Sequence, residues 1–170
     1  MKKILLLLAL FLLTSQISFA QSNRWFTITY NFYSGPVSPQ YQKTYATTIN
    51  YDRSGQVSYR YGLEKTAPEV ETFTITKANH KKLTKLVKAL GILDGTAPPN
   101  ESDGKIGGPT KSITISYGDP NPNLDQPVRQ VTFNETMNSS DDIKALFELM
   151  DKAVPNKVWK KFVKKETTDK

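Results

Sequence analysis

His80 is the residue on which most side-chain catalysis in this chain would depend, because it is the single histidine and no cysteine is present. A Ser–His–Asp arrangement would have to use it, while thiolate nucleophiles and cysteine-based zinc or iron–sulfur sites are excluded. His80 lies in the first turn of a predicted helix, one turn before Leu83. That position is typical of a structural or solvent-facing histidine, and one histidine without cysteine is a poor basis for a metal site. We therefore predict no catalytic residue, no metal ligand and no cofactor.

The acidic residues lie where folding explains them, rather than in the facing pairs that a glycosidase uses. Asp141 and Asp142 suit the positive end of a helix dipole, and Asp52 begins a turn. The other acids considered lie in predicted loops: Asp94, Glu101, Asp103, Asp119 and Asp125. The strand-to-helix junction at residues 76–78 has no glycine, so no phosphate-binding loop is predicted there. These patterns favour a non-enzymatic protein. One alternative is a small secreted hydrolase that uses the loop at residues 94–109 as a lid.

The strongest charge pattern is a row of lysines in the same predicted helix. Residues 77–90 hold five lysines and no acid. Four of these lysines recur at helical spacing and share one face: Lys77, Lys81, Lys85 and Lys88. Like charges four residues apart destabilise an isolated helix by about 0.2–0.5 kcal/mol per pair. One interpretation is a solvated face, and the other is a surface for an acidic protein, an anionic envelope polymer or lipid headgroups. Nucleic acid is not a predicted partner, because no interleaved aromatic residues accompany the lysines.

Aromatic residues form a second candidate surface. Tyr45, Tyr51, Tyr59 and Tyr61 lie in a predicted hairpin, where they can stack across the strands and stabilise the sheet. Exposed tyrosine and tryptophan rings also favour contact with proteins or sugars. If helices cover one side of the sheet, aromatic side chains on the other side are exposed. Trp25 and Tyr59 are therefore the candidates for an aromatic contact.

The N-terminus has the three parts of a secretory signal peptide. Two lysines precede the apolar run at residues 4–13, and small residues precede a cleavage position after Ala20. The apolar run is shorter than the ~18 residues that a spanning helix needs. The pattern predicts a cleaved signal peptide at residues 1–20 and a secreted or periplasmic bacterial protein without a transmembrane segment in the mature chain. An uncleaved N-terminal anchor is the alternative. The mature chain is then one globular domain, residues 21–163, with a polar tail at residues 164–170.

Hydrophobic periodicity predicts four strands, a helix, two strands and a second helix. Alternation with a period of two marks the strands: Arg24–Tyr33, Tyr41–Tyr51, Val57–Tyr61, Val70–Thr76, Thr110–Tyr117 and Val128–Phe133. The first helix follows an N-cap at Thr76 and ends before Gly91. The second is expected to begin at a capping box formed by Ser139 and Asp142 and to end at Pro155.

Beyond Pro155, the apolar residues Val158, Trp159 and Phe162 predict a short turn that docks on the domain. Short connections between neighbouring strands indicate antiparallel pairing, and one polar face per strand places both helices on the same side. The predicted fold is α+β: an antiparallel sheet of about six strands with two helices packed on one face, in the order ββββ-α-ββ-α.

This order resembles that of a family of small secreted bacterial domains of unknown function. The resemblance rests on Gly35, on the sequence Pro-Gln-Tyr at residues 39–41 before the hairpin, and on a terminal helix that ends near Trp159. It covers roughly Phe26 to Trp159. Members of the family typically carry a G-x-C-P-x-Y motif at the first turn. Here the cysteine is absent, and Gly35 stands one residue further from the proline. The resemblance implies the same fold class and no mechanism.

Overall fold

The structure of the chain is a computed structural model that describes residues 25–62, 67–96, 108–118, 128–135 and 140–168. The predicted signal peptide lies outside these residues, as does most of the predicted lid loop. The strands are β1 (Trp25–Tyr33), β2 (Lys43–Asn50), β3 (Ser54–Tyr61), β4 (Glu69–Thr74), β5 (Thr110–Gly118) and β6 (Arg129–Asn134). The helices are α1 (Lys77–Ala89), α2 (Asp141–Asp151) and α3 (Asn156–Thr168), and a short 3-10 turn spans Pro39–Tyr41.

The six strands form one antiparallel sheet in the order β4-β3-β2-β1-β5-β6. The chain makes a meander from β1 to β4, and after α1 it returns to the free side of β1. The tightest connection is the turn between β2 and β3, where Arg53 adopts a positive φ of 73° and donates its backbone N–H to Asn50. This architecture confirms the predicted α+β fold with an antiparallel sheet.

Strand register collects the apolar side chains on one face of the sheet. Ile28 lies between Ile49 on β2 and Ile115 on β5, and all three are fully buried. Successive strand residues point to opposite faces, so the residues between these positions face away from the core. The core is thus a single layer between the sheet and the helices.

All three helices pack on that apolar face. Tyr30 on β1 contacts Phe147 of α2 with ring centroids 6.2 Å apart. Tyr59 on β3 stacks on Phe162 of α3 at 5.0 Å. His80 of α1 stacks on Phe26 of β1, and this third contact completes the layer. The opposite face of the sheet has no helix among the described residues.

The short docking turn expected after α2 is a third helix, α3. Pro155 cannot donate a backbone hydrogen bond, which suits the end of α2. Its carbonyl accepts hydrogen bonds from the N–H groups of Val158 at 2.8 Å and Trp159 at 3.4 Å, and so begins the next helix. Lys161 then pairs with Glu71 of β4 at 2.5 Å, which ties α3 to the sheet. The same proline therefore ends one helix and starts another.

The helix caps follow the predicted chemistry with one shift. Thr76 caps α1 by accepting a hydrogen bond from the backbone N–H of Asn79 at 3.2 Å, and Gly91 adopts the expected left-handed conformation with φ 64°. The cap of α2 is Ser140 rather than Ser139, because the hydroxyl of Ser140 accepts from the backbone N–H of Ile143. Two aspartates occupy the first turn of α2, as predicted.

Candidate functional site

Helix α1 separates an apolar side from a basic side. Leu83 and Val87 are fully buried, and Leu90 directly after the helix is 5% exposed. Because side chains three and four residues apart lie on one side of a helix, the residues between them face outwards. The four predicted lysines are all exposed there. We refer to them as the lysine face: Lys77, Lys81, Lys85 and Lys88.

The lysine face is a row rather than a cluster. With a rise of about 1.5 Å per residue, its first and last members are separated by about 16 Å along the helix axis, and neighbours by about 5–6 Å. A row of evenly spaced cations can meet a repeated anionic group on one extended chain. A single small anion would contact only part of it.

The charges of the lysine face are not compensated within the described part of the chain. None of the salt bridges there involves these four lysines. The first turn of α1 contains no acid, so Lys77 stands at the helix end where the dipole disfavours a cation. Lys88, in the last turn, occupies the favourable end. The arrangement leaves several positive charges together in solvent.

Two arginines lie near the ends of α1. Arg53, in the turn between β2 and β3, lies close enough to His80 for its charge to act on the imidazole. Arg129 begins β6 and lies near Gly95, shortly after the end of α1. Its Nη1 would be 3.8 Å from a Cβ atom placed on that glycine. An arginine thus lies near each end of the helix, and Asp52 next to Arg53 and Asp94 next to Gly95 lie there as well.

His80 belongs to the packing between α1 and the sheet. Its ring stacks on Phe26 of β1, with centroids 6.1 Å apart and planes 11° from parallel. Nε2 is buried and has no hydrogen-bond partner. Burial lowers the pKa of His80 and Arg53 lowers it further, against the opposing effects of the Tyr51 backbone and Asp52. The geometry thus gives the His80 ring a packing role against Phe26.

The two aromatic candidates have different outcomes. Tyr59 is only 9% exposed, and its ring packs against Phe162 and Trp159. An aromatic contact with a partner requires an exposed ring, so Tyr59 is corrected to a core residue. The inward alternation of β3 places it under α3. The side chain of Trp25 lies outside the described part of the chain.

A polar network that the sequence did not predict joins α2 to the sheet. The buried hydroxyl of Tyr30 donates a hydrogen bond to the carboxylate of Asp151, at the end of α2. Lys111 on β5 donates to Asp151 at 3.1 Å and to Glu135 at 2.8 Å. Burial raises the pKa of Tyr30, and the hydrogen bond to Asp151 raises it further.

Lys111 balances the carboxylates of this network. Burial acts to lower the pKa of Lys111, but the hydrogen bonds that it donates to Glu135 and Asp151 raise this pKa above its ordinary value. The donors and acceptors of the network are thus matched, which is typical of a structural role. No local pattern could reveal it, because Tyr30 and Asp151 are 121 positions apart.

The sheet face away from the helices, which we call the open face, is built mainly of short neutral side chains. Its hydroxyl groups belong to Thr27, Thr29, Thr44, Thr48, Ser54, Ser58, Thr72, Thr74, Thr110, Ser112, Thr114, Ser116 and Thr132. Some bond across strands, as Thr29 does with Thr48 at 3.3 Å. No Asp or Glu occupies an outward position of the six strands, and the single charged residue there is Arg60.

A shallow depression of about 300 Å³ interrupts the open face. Its outward-facing residues come from β1, β2 and β3, with a proline that precedes β4: Asn31, Thr44, Ala46, Ser58, Arg60 and Pro68. Sequence reasoning missed this site, because strand alternation shows which residues share a face but not where one short side chain leaves a hollow.

The described ranges contain no helix that is both long and apolar enough to cross a membrane. Within the same ranges, no three His, Asp or Glu side chains are grouped so that they could hold a metal ion.

No protein-family model matches the chain, and a search of curated proteins gave no match. The resemblance to small secreted bacterial domains therefore stays a prediction.

Proposed function

We propose that this chain is an exported, non-catalytic binding module whose lysine face takes a linear polyanion of the cell envelope. Export follows from the predicted signal peptide, and N-terminal sequencing of the protein from its native cell should find a chain that begins at Gln21. The module contributes recognition and carries out no reaction. The partner is held mainly by charge, so binding should weaken as ionic strength rises.

One observation carries this proposal: the acid-free row of exposed lysines on α1. Lysine in the first turn of a helix and like charges four residues apart both destabilise the helix. Burial of the leucine side supports α1 in spite of these effects. A bound polyanion would offset the repulsion between the lysines. The acid-free row is therefore expected of a binding surface, whereas a surface that only faces solvent has no need of it.

A polyanion fits this surface better than a lipid bilayer does. A helix that lies on a membrane needs an apolar side to insert between the lipids. In α1 that side is already committed to the protein core, where Leu83 and Val87 are fully buried. The exposed side offers only the lysines and two alanines, Ala78 and Ala89, apart from polar groups. An acidic protein stays the competing partner, to be distinguished by experiment.

The test compares two variants that lose the same charge. In the first, the four residues of the lysine face are replaced by glutamine. In the second, four exposed lysines on α2 and α3 are replaced instead: Lys144, Lys152, Lys157 and Lys160. Both mature proteins and the wild type are applied to an immobilised linear polyphosphate and eluted with a sodium chloride gradient.

The lysine-face variant should elute at much lower salt than the wild type, and the control variant close to the wild type. Equal losses in the two variants would mean that net charge alone is responsible, and the proposal would fail. Retention of an acidic protein from envelope extract, without any retention on polyphosphate, would assign the face to a protein partner instead.

A further inference from the structure

The depression on the open face has a floor and a polar rim. Ala46 has the shortest side chain among its outward-facing residues and lies between Asn31 and Ser58 in the register of the sheet. Phe32 and Tyr45 also line it, although their rings stack on each other on the helix side of the sheet. Only their main chain can reach the open face. The volume of about 300 Å³ is at the lower end of the range for ligand pockets, roughly 300–1,000 Å³.

The groups around the rim are hydrogen-bond donors as well as acceptors. Arg60 presents a planar guanidinium with five N–H donors, a geometry that matches a carboxylate in a two-pronged contact. Arg60 also interacts within the domain, and its five donors allow the guanidinium to hold more than one partner. The amide of Asn31 and the hydroxyls of Thr44 and Ser58 can each donate and accept. Among the described residues that line the depression, none is acidic.

An aromatic ring stands beside this polar rim. Tyr33 is 37% exposed and pairs with Thr44 in the register of β1 and β2, on the same face as the depression. A ring that offers both apolar surface and a hydroxyl suits the flat side of a sugar. Among the described lining residues the main outward-facing apolar members are Ala46 and Pro68, which offer the side chain of an apolar peptide little to contact.

We propose that the depression binds a carboxylate-bearing sugar unit of an acidic polysaccharide. Arg60 pairs with the carboxylate, Asn31 and Ser58 form hydrogen bonds with ring hydroxyls, and Tyr33 covers one side of the ring. This site lies on the face of the sheet opposite to α1. It therefore goes beyond the lysine face and does not depend on it.

The test is a titration of the isotope-labelled mature protein with an oligogalacturonate, followed by backbone amide shifts in two-dimensional NMR. The same oligomer with its carboxylates methyl-esterified is the matched control, because it keeps the hydroxyls and loses the charge. Shifts are expected at residues 31–33, 44–46 and 58–60, and the ester should bind at least about tenfold more weakly. A short glycine peptide with a free C-terminus tests whether any carboxylate suffices.

Two variants locate the binding. Arg60→Gln should weaken it by roughly 10- to 100-fold, since a charge-assisted hydrogen bond is lost, and Arg60→Lys should restore only part. Ala46→Leu fills the floor and should also reduce affinity. Lys157→Gln removes the same charge from an exposed position on α3, away from both proposed surfaces, and should leave affinity unchanged. If Ala46→Leu does not fold, the Arg60 pair and its control still decide the outcome.

Several results would overturn this inference. They are no binding at millimolar ligand, equal binding of the ester, equal shifts with the peptide, or affinity unaffected by Arg60→Gln. Shifts confined to residues 77–89 and lost in the lysine-face variant would also reject the depression while supporting the proposed function. No retention of the wild type on polyphosphate, together with oligogalacturonate shifts at residues 31–33, 44–46 and 58–60, would be the reverse result, so the two proposals can fail separately.

Discussion

The two faces of the sheet are made by the same six strands and differ in what holds them in place. The covered face is a layer of fully buried aliphatic and aromatic side chains, among them Ile28, Ile115 and Tyr30. The open face consists of hydroxyls and amides that bond to their neighbours across the strands and to solvent. The first face therefore supplies stability, and the second is free to change without loss of the fold.

Adjacent residues on β5 test this contrast most strongly. Ile115→Ala removes a fully buried side chain and should lower the free energy of unfolding by about 2–5 kcal/mol. Thr114→Ala removes a hydroxyl that bonds Thr132 at 3.0 Å on the open face, and should cost about 1 kcal/mol or less. Chemical denaturation of both variants measures the difference. Equal losses of unfolding free energy would show that the open face contributes as much to stability as the covered face.

A pair of tyrosines on β1 sharpens the comparison for polar groups. Tyr30→Phe leaves Asp151 without its phenol donor and should lower the free energy of unfolding by about 1–3 kcal/mol. Tyr33→Phe, on the open face, should change it by less than about 0.5 kcal/mol. If Tyr30→Phe were as stable as the wild type, the network around Asp151 would not contribute to holding α2.

The pH dependence of stability isolates the histidine at the edge of the covered face. Burial lowers the pKa of His80 in the folded state, so the unfolded chain binds a proton more readily. Stability should therefore be complete above the unfolded pKa of about 6.5 and fall as the pH decreases below it. His80→Gln removes this contribution. Lys144→Gln is the control, because it leaves the stack of His80 on Phe26 in place. Thermal unfolding of the wild type and of His80→Gln between pH 5 and 8 measures this effect. Parallel curves of stability against pH for the two proteins would contradict the expected contribution of His80.

The strands and the first helix could be predicted from the sequence because they depend on local patterns. Alternation along β1 and helical spacing along α1 arise from neighbouring residues, and both are confirmed. The third helix was missed because Pro155 reads as a stop, although its carbonyl also begins α3. The network of Tyr30 and the depression around Arg60 depend on strand register and on contacts between distant parts of the chain, which no single segment encodes.

The smallest expected effect concerns the balance between stability and binding at the start of α1. Lys77→Glu replaces a cation with an anion at the positive end of the helix dipole and should stabilise the fold by about 0.3–1 kcal/mol. The same variant should bind polyphosphate more weakly. Lys85→Glu, in the helix interior, should weaken binding without this gain. A stabilised Lys77→Glu variant with unchanged affinity would remove Lys77 from the lysine face.

The salt dependence of polyphosphate affinity tests the central claim most directly. A fluorescent linear polyphosphate is titrated with the wild type, the lysine-face variant and the four-lysine control at several salt concentrations. By analogy with nucleic acids, where each neutralised phosphate contributes a slope of roughly 0.7–0.9 to log affinity against log salt, loss of the lysine face should reduce the slope by about 3. The control should retain the wild-type slope. A slope that falls equally in both variants would contradict recognition by α1.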